Sequence, residues 1–61
     1  METEYKRVDT LSDQDTLIGD AGGESMVYEA RPSSANPGLW LVTTEHGHLL
    51  IDPTLEVEVK V

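Results

Sequence analysis

The fold is decided by residues 39–61, which read LWLVTTEHGHLLIDPTLEVEVKV. At the end of this stretch every second residue is apolar, and the residues between them are charged. The apolar set is Leu55, Val57, Val59 and Val61, and the charged set is Glu56, Glu58 and Lys60. A period of two is typical of a strand with one buried face, so the pattern predicts a strand over residues 55–61.

The part before it, residues 39–53, predicts a β-hairpin. If His46 and Gly47 form a two-residue turn of type I′, Glu45 pairs with His48 and Val42 pairs with Ile51. One face of the hairpin then carries Trp40, Val42, Leu49 and Ile51, and the other carries Leu41, Thr43, Leu50 and Asp52. The first face predicts a core. The second is partly apolar, so we expect an N-terminal helix or a second molecule to cover it.

The rest of the chain predicts short elements. Residues 4–8 favour an edge strand, and residues 25–31 a further strand. Ser12 is expected to cap a short helix that ends at Gly19, and residues 32–38 are rich in turn formers and predict an exposed loop. The fold class is therefore mainly β: a small antiparallel meander or open barrel of four to five short strands, with at most one short N-terminal helix. We expect a single domain over residues 1–61, with residues 1–25 as its flexible part.

Size limits how such a domain is stabilised. The chain has 61 residues and no Cys. A domain of this length buries only about 60% of the surface of its unfolded chain, and neither a disulfide nor a thiolate zinc site is available. The expected supports are a metal held by other ligands, oligomerisation, docking on a larger partner or an unusual solvent, although many domains near this size fold alone.

The charge excludes several functions. Twelve carboxylates against four Lys and Arg give a net charge of −8. Direct binding of nucleic acid or anionic membranes is not expected, because both need cationic side chains. The polar N-terminus is no signal peptide, so the expected location is cytoplasmic. The same composition is typical of proteins from high-salt cells, where salt screens the self-repulsion; an ordinary acidic soluble protein is the alternative.

Candidate chemistry is sparse. Glu45, His46 and His48 are the one cluster that resembles a set of metal ligands, but Gly47 places the histidines in a turn. The acidic run from Asp13 to Glu24 lacks the glycine of an EF-hand loop. No complete catalytic set is present, so we expect no enzymatic activity and no cofactor.

The sequence therefore predicts a small acidic protein–protein interaction module that docks on a larger protein or self-associates. The predicted contacts are Trp40, Leu41 and Leu50 of the hairpin, with Asp13, Asp15 and Asp20 of the acidic segment. Trp40 fits a core position as well as an interface. Two alternatives stay open: an acidic nucleic-acid mimic that inhibits a DNA-binding protein, and a metal-binding protein built on the histidines.

Overall fold

The computed structural model describes residues 2–19 and 21–61, which form one open, fully antiparallel sheet of six strands. The strands are β1 (Thr3–Arg7), β2 (Thr16–Ile18), β3 (Glu24–Pro32), β4 (Trp40–Thr44), β5 (Gly47–Ile51) and β6 (Glu56–Lys60), with a 3₁₀ helix over Val8–Thr10. Their order across the sheet is β1-β6-β2-β3-β4-β5. The predicted mainly β, antiparallel fold is confirmed, with slightly more strands than expected.

The C-terminal strand behaves as its alternation predicts only in its middle. Val59 is buried and Val57 is partly buried against the core. Leu55 and Val61, which lie just outside β6, are 54% and 69% exposed. β6 lies between β1 and β2, so the middle of the strand has a neighbouring strand on each side. The flanking residues lie beyond these pairings and stay exposed.

A β-bulge at Tyr28 shapes the sheet. Val27 lies opposite Thr44, but Glu29 lies opposite Thr43, so Tyr28 is an extra residue on β3. As a result Val27 and Ala30, three residues apart, both pack into the core, while Tyr28 is exposed. A bulge bends its strand. The two parts of the sheet therefore enclose one core, whose buried members are Val8, Leu11, Val27, Val42 and Val59.

The predicted helix after Ser12 is wrong: the chain makes a turn there and continues as β2. Gln14 has a positive φ of 76°, which no helix allows. The Gln14 N–H donates to the Val27 carbonyl at 2.9 Å, and the Val27 N–H donates to the Asp15 carbonyl at 2.8 Å. Two turns of helix are marginal alone, whereas the extended path gains these hydrogen bonds and packs Leu17 against the core.

The hairpin is confirmed, but its predicted turn is wrong by one residue. Thr44 lies opposite Gly47, so the turn residues are Glu45 and His46. A type I′ turn would need positive φ at His46, and only Gly47 adopts it here, at 126°. The buried Thr44 hydroxyl holds the turn: it accepts from the His46 N–H at 3.1 Å and donates to the Gly47 carbonyl at 3.0 Å.

The predicted faces of the hairpin survive this error. Val42 pairs with Leu49 instead of Ile51, and Trp40 with Ile51, a slip of two residues. Because side chains alternate with a period of two, an even slip leaves every residue on its predicted side.

Candidate interaction surface

The outer face of β4 and β5 carries an apolar pair at its centre. Leu41 lies directly opposite Leu50, and Leu50 is 48% exposed. The two line a shallow depression of about 440 Å³. We call this surface the outer patch; its members are Leu41, Leu50, His48, Ser33, Ala35 and Asn36. The structure therefore brings together two of the residues that the sequence predicted as contacts.

A structured loop forms one wall of the outer patch. The Ser33 N–H donates to the Leu39 carbonyl at 2.9 Å, and the Leu39 N–H donates to the Asn36 carbonyl at 3.1 Å. The Asn36 N–H in turn donates to the Ser33 hydroxyl at 3.1 Å. The predicted exposed loop is thus present between β3 and β4, closed on itself by these hydrogen bonds and standing beside Leu41 and Leu50.

The rim of the outer patch is polar. The Thr43 hydroxyl and Nδ1 of His48 are hydrogen-bonded at 3.0 Å. On β3, opposite Thr43 and Leu41, Glu29 and Arg31 form an ion pair of 2.6 Å. An apolar centre inside a polar, hydrogen-bonded rim is the composition of protein interfaces.

Trp40 does not belong to the outer patch. It pairs with Ile51 on the opposite face of the hairpin, where it is partly buried and packs against the core. Alternation along β4 separates it from its neighbour Leu41. Of the two roles that the sequence allowed for Trp40, the structure supports the core position.

The predicted acidic contacts are not equivalent. Asp13 is exposed in the turn before β2. Asp15 accepts hydrogen bonds from the Lys6 ammonium at 2.9 Å and from the Ser12 N–H at 3.0 Å. Burial raises the pKa of Asp15, but these hydrogen bonds and the Lys6 charge outweigh it, so the net pKa is lowered. Asp15 therefore links the turn before β2 to Lys6 on β1. Asp20 lies outside the described residues.

The three predicted metal ligands each have a different partner. Oε1 of Glu45 accepts from the Met26 N–H at 3.2 Å, and Nδ1 of His46 is hydrogen-bonded to the Ser25 hydroxyl at 2.7 Å. His48 points instead to Thr43 on the outer face. Within residues 2–19 and 21–61, no three His, Asp or Glu side chains are grouped to hold a metal ion.

A second groove was not foreseen from the sequence. It has a volume of about 530 Å³ and lies between the β2–β3 turn and the hairpin. Its apolar lining includes Leu17, Leu49 and Val57, and the Ser25–His46 pair lies at its edge. These residues come from four strands and a turn, so no local sequence pattern predicts the groove.

The cations of the chain are all engaged. Each of the four pairs with a carboxylate: Lys6 with Asp15, Arg7 with Asp9, Arg31 with Glu29, and Lys60 with Glu24. The chain has twelve carboxylates and four Lys and Arg, so the net charge of −8 comes from the carboxylates in excess of these cations. The field around the molecule is negative.

No family model, curated protein or solved structure matches this chain. The candidate site therefore depends on geometry alone. Over the described residues, no helix is long and apolar enough to cross a membrane.

Proposed function

We propose that this chain is a non-enzymatic protein–protein interaction module that docks through the outer patch, on a larger protein or on another copy of itself. The observation that carries the proposal is the pairing of Leu41 with Leu50 on a solvent-facing side of the sheet. Leu50 stays half exposed and its partner Leu41 is only partly buried, so neither gains the full stabilisation that burial of a leucine provides. Burial in a complex would supply the remainder.

Two features of the surroundings support this use of the patch. The loop wall and the hydrogen-bonded rim hold the leucines in a fixed setting, which lowers the entropy lost on docking. The negative field favours a partner with a basic surface or a medium of high salt, because charge sets association rates and selects among partners.

The alternatives receive less support. The carboxylates of a nucleic-acid mimic would have to follow the spacing of phosphates, and the support for this alternative is the net charge of −8. The metal-binding alternative needs Glu45, His46 and His48 to converge, and each is directed to a different partner. A cytoplasmic location stays part of the proposal.

The test compares the wild-type chain with a double variant, Leu41→Ser and Leu50→Ser. The matched control is Tyr5→Ser, because Tyr5 is 67% exposed on β1 at the other end of the sheet. Each full-length chain is immobilised, and proteins retained from an extract of the source cells are identified by mass spectrometry. Self-association is followed in parallel by sedimentation.

The proposal expects a partner, or self-association, that the control keeps and the double variant loses. If the double variant retains the same partners as the wild type, the outer patch is not the docking surface. If the wild type neither self-associates nor retains any protein selectively, the proposed function is wrong.

A further inference from the structure

The two edges of the sheet differ in how they are protected. The β1 edge carries Glu4, Lys6 and Arg7, and charged side chains on an edge strand discourage further pairing. The β5 edge, Gly47–Ile51, carries no carboxylate, no Lys or Arg and no Pro. In the part of the chain that the structure describes, β5 has β4 as its one neighbour. The β5 edge is thus open to a further strand.

The backbone groups of β5 that face outward follow from its register. Because Thr44 and Gly47 close a two-residue turn, they form a hydrogen-bonded pair, as do Val42 and Leu49. In an antiparallel ladder the residues between such pairs direct both N–H and C=O away from the partner strand. The outward residues of β5 are therefore His48 and Leu50.

We infer that β5 pairs in antiparallel fashion with β5 of a second copy, which joins the two sheets across a two-fold axis at Leu49. The inference rests on the proposed function and names its partner. In this register His48 of one copy lies opposite Leu50 of the other, and both present outward backbone groups. Two such pairs form by symmetry, and each exchanges two hydrogen bonds.

The side chains fit the same register. Leu49, 46% exposed on the inner face, meets Leu49 of the second copy. On the outer face Leu50, a member of the outer patch, lies beside His48 of the second copy. Beyond the strand ends, Asp52 comes level with His46 and Glu45 with Pro53, so no carboxylate faces another across the edge. The β5 edge is self-complementary in charge although the whole chain is strongly acidic.

The net charge makes a second prediction about this dimer. Two copies of charge −8 repel each other, and the screening length falls from about 10 Å at 0.1 M salt to about 3 Å at 1 M. Salt should therefore tighten the dimer, whereas it would weaken a complex with a basic partner. We expect the dissociation constant to fall about tenfold or more between 0.05 M and 1 M KCl.

The experiment measures dimerisation of the full chain by sedimentation equilibrium in both salts. His48→Pro removes one outward N–H without removing a β4–β5 hydrogen bond, and proline is tolerated at such an edge position. His48→Thr is the matched control, because it loses the imidazole but keeps the N–H. We expect His48→Pro to weaken dimerisation about tenfold or more, and His48→Thr to stay within about threefold of wild type.

Amide hydrogen exchange of the wild type supplies a readout that needs no variant. Raising the protein concentration should slow exchange at His48 and Leu50, whose N–H groups become bonded only in the dimer. The Leu49 N–H is already hydrogen-bonded to β4 in the monomer, so dimerisation should change its exchange far less.

Each failure is distinct. A chain that is monomeric at millimolar concentration in 1 M KCl overturns the second-copy inference, and partner capture through Leu41 and Leu50 then decides the proposed function separately. A dimer that His48→Pro leaves intact, with unchanged exchange at His48 and Leu50, overturns the edge-pairing inference. In that case a dimer lost on replacing Leu41 and Leu50 would still support the outer patch.

Discussion

Val59 and Val61 offer a direct test of where the core ends. Both are valines on the same predicted face of the C-terminal segment, two residues apart. Val59 is 1% exposed and belongs to the core, whereas Val61 is 69% exposed beyond the end of β6. Replacing each by alanine makes the same chemical change in two environments.

The magnitude follows from burial. Val→Ala removes about two CH₂ equivalents at ~0.8 kcal/mol each, and a residual cavity adds to that, so Val59→Ala should cost about 2–3 kcal/mol. A domain of 61 residues has a free energy of unfolding of about 3–9 kcal/mol. The variant should therefore lose about a fifth or more of its stability, and its melting temperature should fall by roughly 10–20 °C. Val61→Ala should stay within about 0.5 kcal/mol of wild type.

Urea unfolding followed by Trp40 fluorescence measures both variants, because Trp40 packs against the core and changes environment on unfolding. The three chains should share one m-value and differ in midpoint. Equal losses for the two variants, or a larger loss for Val61→Ala, would refute the burial of Val59 in the core and the exposure of Val61 beyond β6.

Three further predictions concern the turn and the acidic segment. Thr44→Val should cost about 1–3 kcal/mol in urea unfolding, because it leaves two turn groups without the buried hydroxyl, and Thr43→Val, whose hydroxyl bonds at the surface, should cost less than half of that. Gly47→Ala should lower stability by about 1–2 kcal/mol through its positive φ alone, since no atom other than those of the adjoining residues lies within 4 Å of the added Cβ; an unchanged midpoint would contradict that φ. Asp15 has a pKa below its ordinary 3.8, so its stabilising contribution is present above that pH and is lost as the pH falls through the folded-state pKa. Melting from pH 7 to 2 should show Asp15→Asn less stable at pH 7 and converging with wild type in acid; Asp13→Asn, which removes an exposed carboxylate of the same segment, is the matched control.

The sequence was most informative where periodicity of two is strong. Alternation in residues 55–61 predicted β6, and the two apolar runs around Gly47 predicted β4 and β5 with the correct faces. The error in the turn left the predicted faces of the hairpin correct, because the register slipped by two residues, an even number. The opposition of Leu41 and Leu50 was foreseen only as residues of one face; their direct pairing depends on the true register.

What the sequence did not predict is decided by long-range contacts. Residues 12–18 carry helix-capping signals, but hydrogen bonds to Val27 on β3 override them. No Gly or Pro near Tyr28 indicates the bulge in the sequence. The bulge explains why Val27 and Ala30, three residues apart, both pack in the core. The position of β6 between β1 and β2 is likewise set by pairing between residues that are far apart in the sequence. Local sequence patterns therefore do not predict it.

Salt and self-association act on stability together, and protein concentration separates them. High salt stabilises the monomer by screening its net charge, whether or not it dimerises. Dimerisation adds stability only as the concentration rises above the dissociation constant, because the second copy then acts as a ligand of the folded state. If β5 pairs with β5, the urea midpoint of the wild type in 1 M KCl should rise with protein concentration, while that of His48→Pro should begin to rise only at concentrations about tenfold higher or more. If the urea midpoint responds to salt but not to protein concentration, the acidic composition is an adaptation to the solvent, and β5 does not pair with a strand of a second copy.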